Sequence, residues 1–293
     1  MTSVKPDADA EAKISVCIYL PDERLRSFVT FYYFVESDMP IEDFLYPEWG
    51  NVRFPVRGSW LVQLPYTNWE TPLTGALFGP TDRATRVASL GGKTVGFGLT
   101  PLGWECFLRM PADSLANRVA ELDDAFGMAA VDIHAQLIAH VSDAEGVALF
   151  DTLLLARLDS SPPNSKGALR SDQALRERPH DVEAFAAAAK LPTRTLSRLC
   201  HRLFGFGPKR LLRRQRFLDT LGLIRVTEHP QFSALIGEAY FDQPHFNREF
   251  REFMGITPSQ YLAAPRPIFA NAARAQAAAG IPLSFTLPPQ RGV

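Results

Sequence analysis

The chain is 293 residues long, with 46% hydrophobic and 22% charged residues. This length is typical of about two domains, and the composition is that of a globular protein rather than a disordered one. The formal net charge of −1 argues against a nucleic-acid partner as long as the chain is treated as one unit, because proteins that bind nucleic acids usually carry a basic excess.

Several classes of site have no signature in the sequence. The cysteines, Cys17, Cys106 and Cys200, lie too far apart for a CxxC pair, and no histidine has a partner at metal-ligand spacing. The chain lacks a GxSxG elbow, a phosphate loop of the full form GxxxxGKS or GxxxxGKT, and an apolar run of the ~18 residues that a membrane span needs. Residues 1–13 do not have the pattern of a secretory signal. We therefore expect a cytoplasmic protein with no catalytic residue, metal, cofactor or membrane partner.

The first half of the chain predicts mostly β-structure. Runs rich in aromatic and β-branched residues occupy 28–35, 44–49, 59–64 and 94–100, and Pro, Gly and Asn separate them. The pattern becomes helical from about Pro111 and stays so to Leu158. We predict an α+β domain over residues 1–158, a β-rich barrel or sandwich closed by helices.

Two stretches predict little fixed structure. Residues 159–175 are predicted to be a linker, because their first part, 159–171, is small, polar and Pro-rich and ends in SPPNSKGALRS. Residues 263–293 are rich in Ala and Pro and are predicted to form a C-terminal tail with one Ala-rich helix and otherwise loose order.

Between these stretches, residues 176–262 predict an all-α domain with two helix-turn-helix units joined by a long helix. The first unit has a helix over 182–190 that Asp181 caps and a helix over 194–204 that Thr193 caps. The long helix covers 209–226. The second unit has helices over 232–239 and 243–254, and Asp242 caps the latter.

Charge is distributed unevenly between the two halves. Nine basic residues and no acidic one lie between Lys190 and Arg216. Residues 169–262 hold 15 basic and 10 acidic side chains, whereas the rest of the chain holds 16 and 22. The near-neutral total therefore hides a basic domain beside an acidic one, and a run of this kind is typical of a protein that binds a polyanion.

The outer helix of the second unit has one apolar face and one polar face. Phe246, Phe250 and Phe253 are predicted to form the buried face of its outer helix, with Phe241 as a neighbour. The Gln, His, Asn and Arg side chains on the opposite side can hydrogen-bond to base edges or phosphates. Two such helices predict insertion into successive major grooves of double-stranded DNA, about 34 Å apart.

The two motifs of this domain carry a family resemblance. LPTRTLSRLCHRLFGFGPKRLL and AYFDQPHFNREFREFMGITPSQYL resemble the motifs of the DNA-binding domain in the AraC/XylS family of bacterial transcription regulators. The resemblance implies a sequence-specific regulator, which contacts RNA polymerase if it is an activator. It implies that the base-facing side chains are Arg194, Thr195, Ser197 and Arg198 in the first unit and Gln243, His245, Asn247 and Arg248 in the second. Phosphate contacts are expected from Arg202, Lys209, Arg210, Arg213 and Arg251.

Three residues depart from the family's pattern. Cys200 stands where Phe is usual, Ala239 stands at a turn position where Gly is common, and Pro244 replaces a polar side chain that often faces DNA. We expect the fold to survive all three changes and the sequence specificity to be altered.

The first half resembles the β-rich domain that precedes such modules in one group of these regulators. The resemblance lies in YLPDERLRSFVTFYYFVES, GPTDRATRV and VGFGLTPLGWECFLRMPADSLANRV. It implies a sensor or dimerisation role, with an unknown small-molecule effector or a homodimer formed through this domain. Aromatic side chains that could line an effector pocket, although such residues are more often core, are Trp49, Trp60, Trp69, Phe97 and Trp104.

Two other classes of protein share parts of this pattern. One is a protein-interaction adaptor whose helix-turn-helix units have lost DNA binding. The other is an enzyme with its site in the β-rich domain. Steep loss of duplex affinity with rising salt would separate a DNA-binding protein from both.

Overall fold

The computed structural model describes residues 14–72, 74–108, 110–122, 129–139, 142–160, 166–226 and 240–279. Its strands are β1 (Ile14–Tyr19), β2 (Val29–Ser37), β3 (Ile41–Leu45), β4 (Asn51–Gln63), β5 (Ala76–Phe78), β6 (Thr85–Leu99) and β7 (Val119–Glu121). Its helices are α1 (Pro101–Phe107), α2 (Ala130–Ala139), α3 (Asp143–Ser160), α4 (Lys166–Arg176), α5 (Val182–Ala189), α6 (Thr193–Phe204), α7 (Pro208–Val226), α8 (Gln243–Met254), α9 (Pro258–Ala263) and α10 (Pro267–Ala278). None of the helices in this part of the chain is long and apolar enough to cross a membrane.

The N-terminal domain is a single antiparallel sheet covered by α1, α2 and α3. The strand order is β1-β2-β6-β4-β5-β7, and β3 pairs with the first part of β6. The strands predicted from aromatic and β-branched runs fall within or beside β2, β3, β4 and β6. The predicted fold class, a β-rich N-terminal domain followed by an all-α domain with a helix-turn-helix arrangement, is confirmed.

The two faces of the sheet have different neighbours. Because side chains alternate along a strand, Tyr32 of β2 and Phe97 of β6 point towards the helices. There their rings lie 5.3 and 5.2 Å from the ring of Phe150 in α3. Tyr33 and Val35 of β2 point to the opposite face, where they line a cavity.

Strand β4 changes the side it presents to this cavity partway along its length. Its pairing with β6 shifts register between Pro55 and Trp60, and Gly58 adopts a φ of 71° there. A Cβ on Gly58 would lie 2.1 Å from the backbone oxygen of Gly91, so a larger residue does not fit. Arg53 lines the cavity before the shift and Trp60 lines it afterwards.

The predicted linker over 159–175 is wrong for most of its length. Helix α3 continues to Ser160, and α4 occupies Lys166–Arg176. Ala168 and Leu175 are buried on one side of α4, and the Leu175 carbonyl accepts a hydrogen bond of 3.1 Å from Gln215 of α7. Only the SPPNS cluster at 161–165 has the composition of a linker, and it lies outside the described residues.

The helices of the C-terminal domain agree with their predicted bounds to within one residue, at α5, α6, α7 and α8. Asp181 and Asp242 cap α5 and α8 as predicted, accepting from the backbone N–H of Ala184 at 2.7 Å and of His245 at 2.6 Å. The predicted cap at Thr193 is wrong, because Thr193 is the first helical residue and Pro192 holds the cap position without a side-chain hydrogen bond. The helix predicted over 232–239, with Ala239, lies outside the described residues.

The C-terminal tail contains the predicted Ala-rich helix, which is α10. This helix packs against β1 and β3 of the N-terminal sheet. Residues 280–293 lie outside the described part of the chain.

Candidate nucleic-acid interface and adjoining cavity

The first two turns of α6 carry the predicted base-facing residues. Arg194 and Arg198 are exposed, Thr195 and Ser197 are half-buried, and Leu196 is fully buried beneath them. Within the described ranges, no carboxylate lies within 4 Å of either guanidinium, as the ion pairs there involve other residues. The N-terminal part of a recognition helix is the part that usually reaches base edges, so this end of α6 is available to DNA.

The last turn of α6 is docked on the N-terminal domain. The guanidinium of Arg202 forms an ion pair with Glu105 of α1, and the ring of His201 lies 3.8 Å from the carboxylate of Asp113. The ring of Phe204 lies 5.6 Å from that of Trp49. The expectation that Arg202 contacts a phosphate does not fit this arrangement, because its charge is already paired.

Helix α8 presents a similar exposed side. Gln243, Arg248 and Arg251 are exposed and Asn247 is half-buried, and the structure describes no carboxylate within 4 Å of Arg248 or Arg251. His245 is partly turned inwards, where its ring lies 5.4 Å from that of Tyr240 and 4.0 Å from the Glu249 carboxylate.

The buried face of α8 differs from the prediction at two residues, Glu249 and Phe241. Phe246, Phe250 and Phe253 are buried as predicted, but Glu249 is buried with them. Phe241, predicted as their neighbour, is 94% exposed. It immediately precedes the capping residue Asp242.

Glu249 and Glu252 of α8 hold three arginines of α7. Arg216 donates to Glu249 at 2.9 Å, and Arg213 donates to Glu252 at 2.6 Å and to Glu249 at 3.2 Å. Arg210 pairs with Glu252 and also donates to Asp82 of the N-terminal domain at 2.7 Å. The expected phosphate contacts of Arg210 and Arg213 therefore do not fit this structure, and these side chains fix α8 to α7 instead.

The basic run at 190–216 is consequently smaller as a DNA-facing charge than its sequence indicates. Its members without a carboxylate within 4 Å, among the described residues, are Lys190, Arg194, Arg198, Lys209 and Arg214, and Arg214 is buried. The partners of the other four lie 33 to 128 positions away in sequence. Glu249 could have been suspected, because it falls on the apolar face that Phe246, Phe250 and Phe253 define.

Beside this domain lies a cavity of about 260 Å³, walled by the second face of the sheet, α7 and α10. Of the predicted pocket residues, Trp49 and Trp60 line it. The other three lie elsewhere. Phe97 packs on the helical face of the sheet, Trp104 is buried in the main core and donates to the Met110 carbonyl, and Trp69 lies beneath the guanidinium of Arg86.

One end of the cavity is polar. Tyr33 donates to Asn51 at 2.5 Å, and Arg53 donates to Tyr33 at 3.2 Å and pairs with Glu48 at 2.5 Å. Burial raises the pKa of the Tyr33 hydroxyl. The indole N–H groups of Trp49 and Trp60 are buried and, among the described residues, have no hydrogen-bond partner.

Arg214 of α7 reaches the same cavity from the DNA-binding domain. Its guanidinium donates to the backbone oxygens of Thr81 and Pro47 at 3.2 and 2.8 Å and lies 3.9 Å from the centre of the Trp49 ring. Burial lowers its pKa to about 9, and the more distant charges of Asp82 and Glu48 act in the opposite direction. Asp82 is paired with Arg210 and Glu48 is paired with Arg53. Arg214 has no carboxylate within 4 Å among the described residues.

One protein-family match falls in the helical second half of the chain. Residues 185–264 match the helix-turn-helix domain family. No curated protein matches the chain in sequence. Among solved structures, ToxT from Vibrio cholerae O395 is 8% identical with a TM-score of 0.43, covering 86% of this chain and 96% of that one. ToxT from Vibrio cholerae O395 bound to (E)-4-(8-methylnaphthalen-1-yl)but-3-enoic acid is 9% identical with a TM-score of 0.45, covering 86% of this chain and 99% of that one. The AraC-like transcriptional activator CuxR is 13% identical with a TM-score of 0.29, covering 70% of this chain and 86% of that one.

The family match and the two exposed, arginine-bearing helices support a DNA-binding transcriptional regulator. Residues 185–264 are its helix-turn-helix domain, and this domain is of the AraC type. An antiparallel β-sheet domain precedes it.

Proposed function

We propose that the protein recognises a specific DNA sequence by placing α6 and α8 in successive major grooves. The observation that carries this proposal is that each of the two helices exposes arginines with no carboxylate beside them in the described structure, Arg194 and Arg198 on α6 and Arg248 and Arg251 on α8. Ion pairs between α7 and α8 hold the second helix in place. A fixed spacing between the helices suits two elements about one helical turn apart.

Salt dependence tests which cations reach phosphates. The logarithm of the binding constant of the full chain for duplex DNA is expected to fall linearly with the logarithm of salt concentration. Replacing Lys209 or Arg251 by alanine should each reduce the slope by about 0.9, because each loses one phosphate contact. Filter binding or fluorescence anisotropy between ~50 and ~200 mM salt measures the slope.

The matched control is Arg202→Ala, whose side chain is paired with Glu105 of the chain itself. Its slope should equal that of the wild-type chain. A slope that falls by about 0.9 in this control would show that the Arg202–Glu105 ion pair opens on DNA. The absence of any salt-dependent binding would overturn the DNA-binding proposal as a whole.

We further propose that a small-molecule effector occupies the cavity, and that it is a compact apolar molecule with one anionic group. The lining is mostly aromatic and aliphatic, which suits an apolar body. Arg53 and Glu48 line the cavity and pair with each other, whereas Arg214, which also lines it, has no acid within 4 Å in the described residues. A buried cation without a paired charge is costly, and a ligand carboxylate would supply that charge.

The effector proposal predicts a preference for anions that depends on Arg214. Octanoate is expected to bind the full chain about 10 to 100 times more tightly than octanol, because a hydrogen bond to a charged group contributes ~1.5–3 kcal/mol. Arg214→Met should abolish or reverse this preference while keeping an apolar side chain of similar length. Quenching of tryptophan fluorescence measures both affinities, since Trp49 and Trp60 line the cavity.

The control is Arg57→Met, which removes an exposed cation of β4 that pairs with Glu36 outside the cavity. It should leave both affinities unchanged. An unchanged preference for octanoate in Arg214→Met would show that Arg214 is not the anion-binding group. If the wild-type chain binds neither compound, the effector proposal in this form is wrong.

A further inference from the structure

Helix α10 follows the DNA-binding domain in sequence but belongs to the wall of the N-terminal cavity. It packs against β1 and β3, and Ile268, Phe269, Ala272 and Gln276 face the cavity. The space between the sheet and α7 is therefore closed on one side by an element from the other end of the described chain.

Helix α10 buries only one of its own described side chains in this position. Ile268 is the one buried residue among those described in this helix, and Arg266 at its N-cap makes no capping hydrogen bond. The cap comes instead from Asp43 of β3, whose buried carboxylate accepts from the N–H of Phe269 at 3.0 Å. Burial raises the pKa of Asp43 to about 6, and the N–H donors of α10 limit the rise. A helix with one buried side chain and a borrowed cap is an element that opens at a low cost in free energy.

The same helix contacts the second helix-turn-helix unit. The ring of Phe269 lies 4.4 Å from that of Tyr46, and the Tyr46 hydroxyl is hydrogen-bonded to that of Tyr261 in α9. Tyr261 packs against Phe250 on the buried face of α8, with ring centres 5.5 Å apart. Only residues 264–266 separate α9 from α10. A displacement of α10 therefore reaches α8 both through the chain and through packed rings.

We propose that α10 is the movable wall of the cavity. It detaches from β1 and β3 so that a ligand can enter, and its position transmits occupancy of the cavity to α8 through Tyr46 and Tyr261. The transmission rests on the effector function proposed above, whereas the opening of α10 can be tested without any effector. Because Asp43 caps α10 but does not line the cavity, changing it loosens the wall without reshaping the space behind it.

The opening is tested with acrylamide, a small neutral quencher, on the full chain carrying Asp43→Ala. Comparison with the same chain carrying Trp60→Phe isolates the signal of Trp60, which lines the cavity and is 6% exposed. Hydrogen exchange of residues 267–278 is measured in parallel. We expect exchange in α10 to be about tenfold faster and quenching of Trp60 to rise severalfold.

Two variants serve as controls. Asp43→Asn keeps an oxygen that can accept from α10, and Arg274→Ala changes an exposed residue that donates to Ala270 of the same helix. Both should behave like the wild-type chain. If Asp43→Ala does not fold, Asp43→Ser replaces it, since it also removes the carboxylate that accepts from α10 and leaves the cavity lining unchanged. Faster exchange in α10 with unchanged quenching of Trp60 would overturn the opening.

The transmission is tested by the ratio of DNA affinities with and without octanoate. In Asp43→Ala this ratio should move towards one, whereas in Arg274→Ala it should equal the wild-type ratio. A ratio that stays at the wild-type value in Asp43→Ala would overturn the transmission. If octanoate does not bind the wild-type chain, the effector proposal fails and the quenching result still decides whether α10 opens.

Discussion

Replacing Glu249 by alanine is expected to lower the free energy of unfolding by about 2–4 kcal/mol. The side chain is 2% exposed and accepts from both Arg213 and Arg216. Removing one partner of a buried ion pair costs about 3–5 kcal/mol, because the remaining charge stays desolvated. The two guanidiniums here are 32% and 38% exposed, so water relieves part of that cost and the lower range applies. Urea denaturation of the full chain measures the change.

The functional consequence of the same substitution is a loss of DNA affinity. Glu249 holds α8 against α7, so its removal frees the second recognition helix from its fixed spacing to the first. Glu177→Ala is the matched control, because Glu177 is exposed and its removal should change stability by less than about 0.5 kcal/mol. A loss of stability in Glu249→Ala no larger than in this control would show that the ion pairs do not hold the helix.

The helices of the DNA-binding domain could be predicted because their signals are local. Apolar residues at 3.6-residue spacing and a capping aspartate at the start fix α5 and α8 within a few residues of sequence. The wrong cap at Thr193 shows the limit of such signals. Pro192 already has the extended backbone of a cap residue, with φ −60° and ψ 142°, and its fixed φ leaves Thr193 to begin the helix.

The basic run shows why charge near in sequence is a weak guide to charge near in space. The acids that neutralise Arg202 and Arg210 come from α1 and from the loop between β5 and β6, about a hundred positions away. No local pattern reports such pairs. The two arginines of α6 with no carboxylate within 4 Å in the described structure, Arg194 and Arg198, lie in its first two turns, whereas the paired Arg202 lies in its last turn, where the helix meets the N-terminal domain.

The cavity could be predicted only in part, for a geometric reason. Trp49, Trp60 and Phe97 are all aromatic residues of the β-rich half, so residue type does not distinguish them. The alternation of side chains and the register shift in β4 decide which face of the sheet each occupies. Phe97 differs by one position from Gly98, which lines the cavity. The sequence did not predict that Arg214 and α10 line the cavity, because Arg214 lies in the predicted DNA-binding domain and α10 lies in the predicted C-terminal tail.

The largest expected effect on DNA recognition comes from removing Arg198 and Arg248 together. If each reads a base edge, each alanine substitution costs about 1–3 kcal/mol at the cognate site. The residues lie on different helices and share no partner in the described structure, so the two costs should add to about 2–6 kcal/mol. Affinity measured against a library of randomised duplexes, at one salt concentration, gives both the cost and the base preference.

The same library distinguishes base recognition from phosphate contact and tests the two-groove arrangement. Base recognition relaxes the preference at one position for Arg198→Ala and at another, about ten base pairs away, for Arg248→Ala. Phosphate contact would instead weaken binding to every sequence alike, and would show that these arginines are not the readers. Inserting about five base pairs between the two elements turns one of them by half a helical turn, so the wild-type chain should then bind no better than the double variant. The ion pairs of Glu249 and Glu252 make this outcome specific, since helices free to move apart would tolerate the insertion.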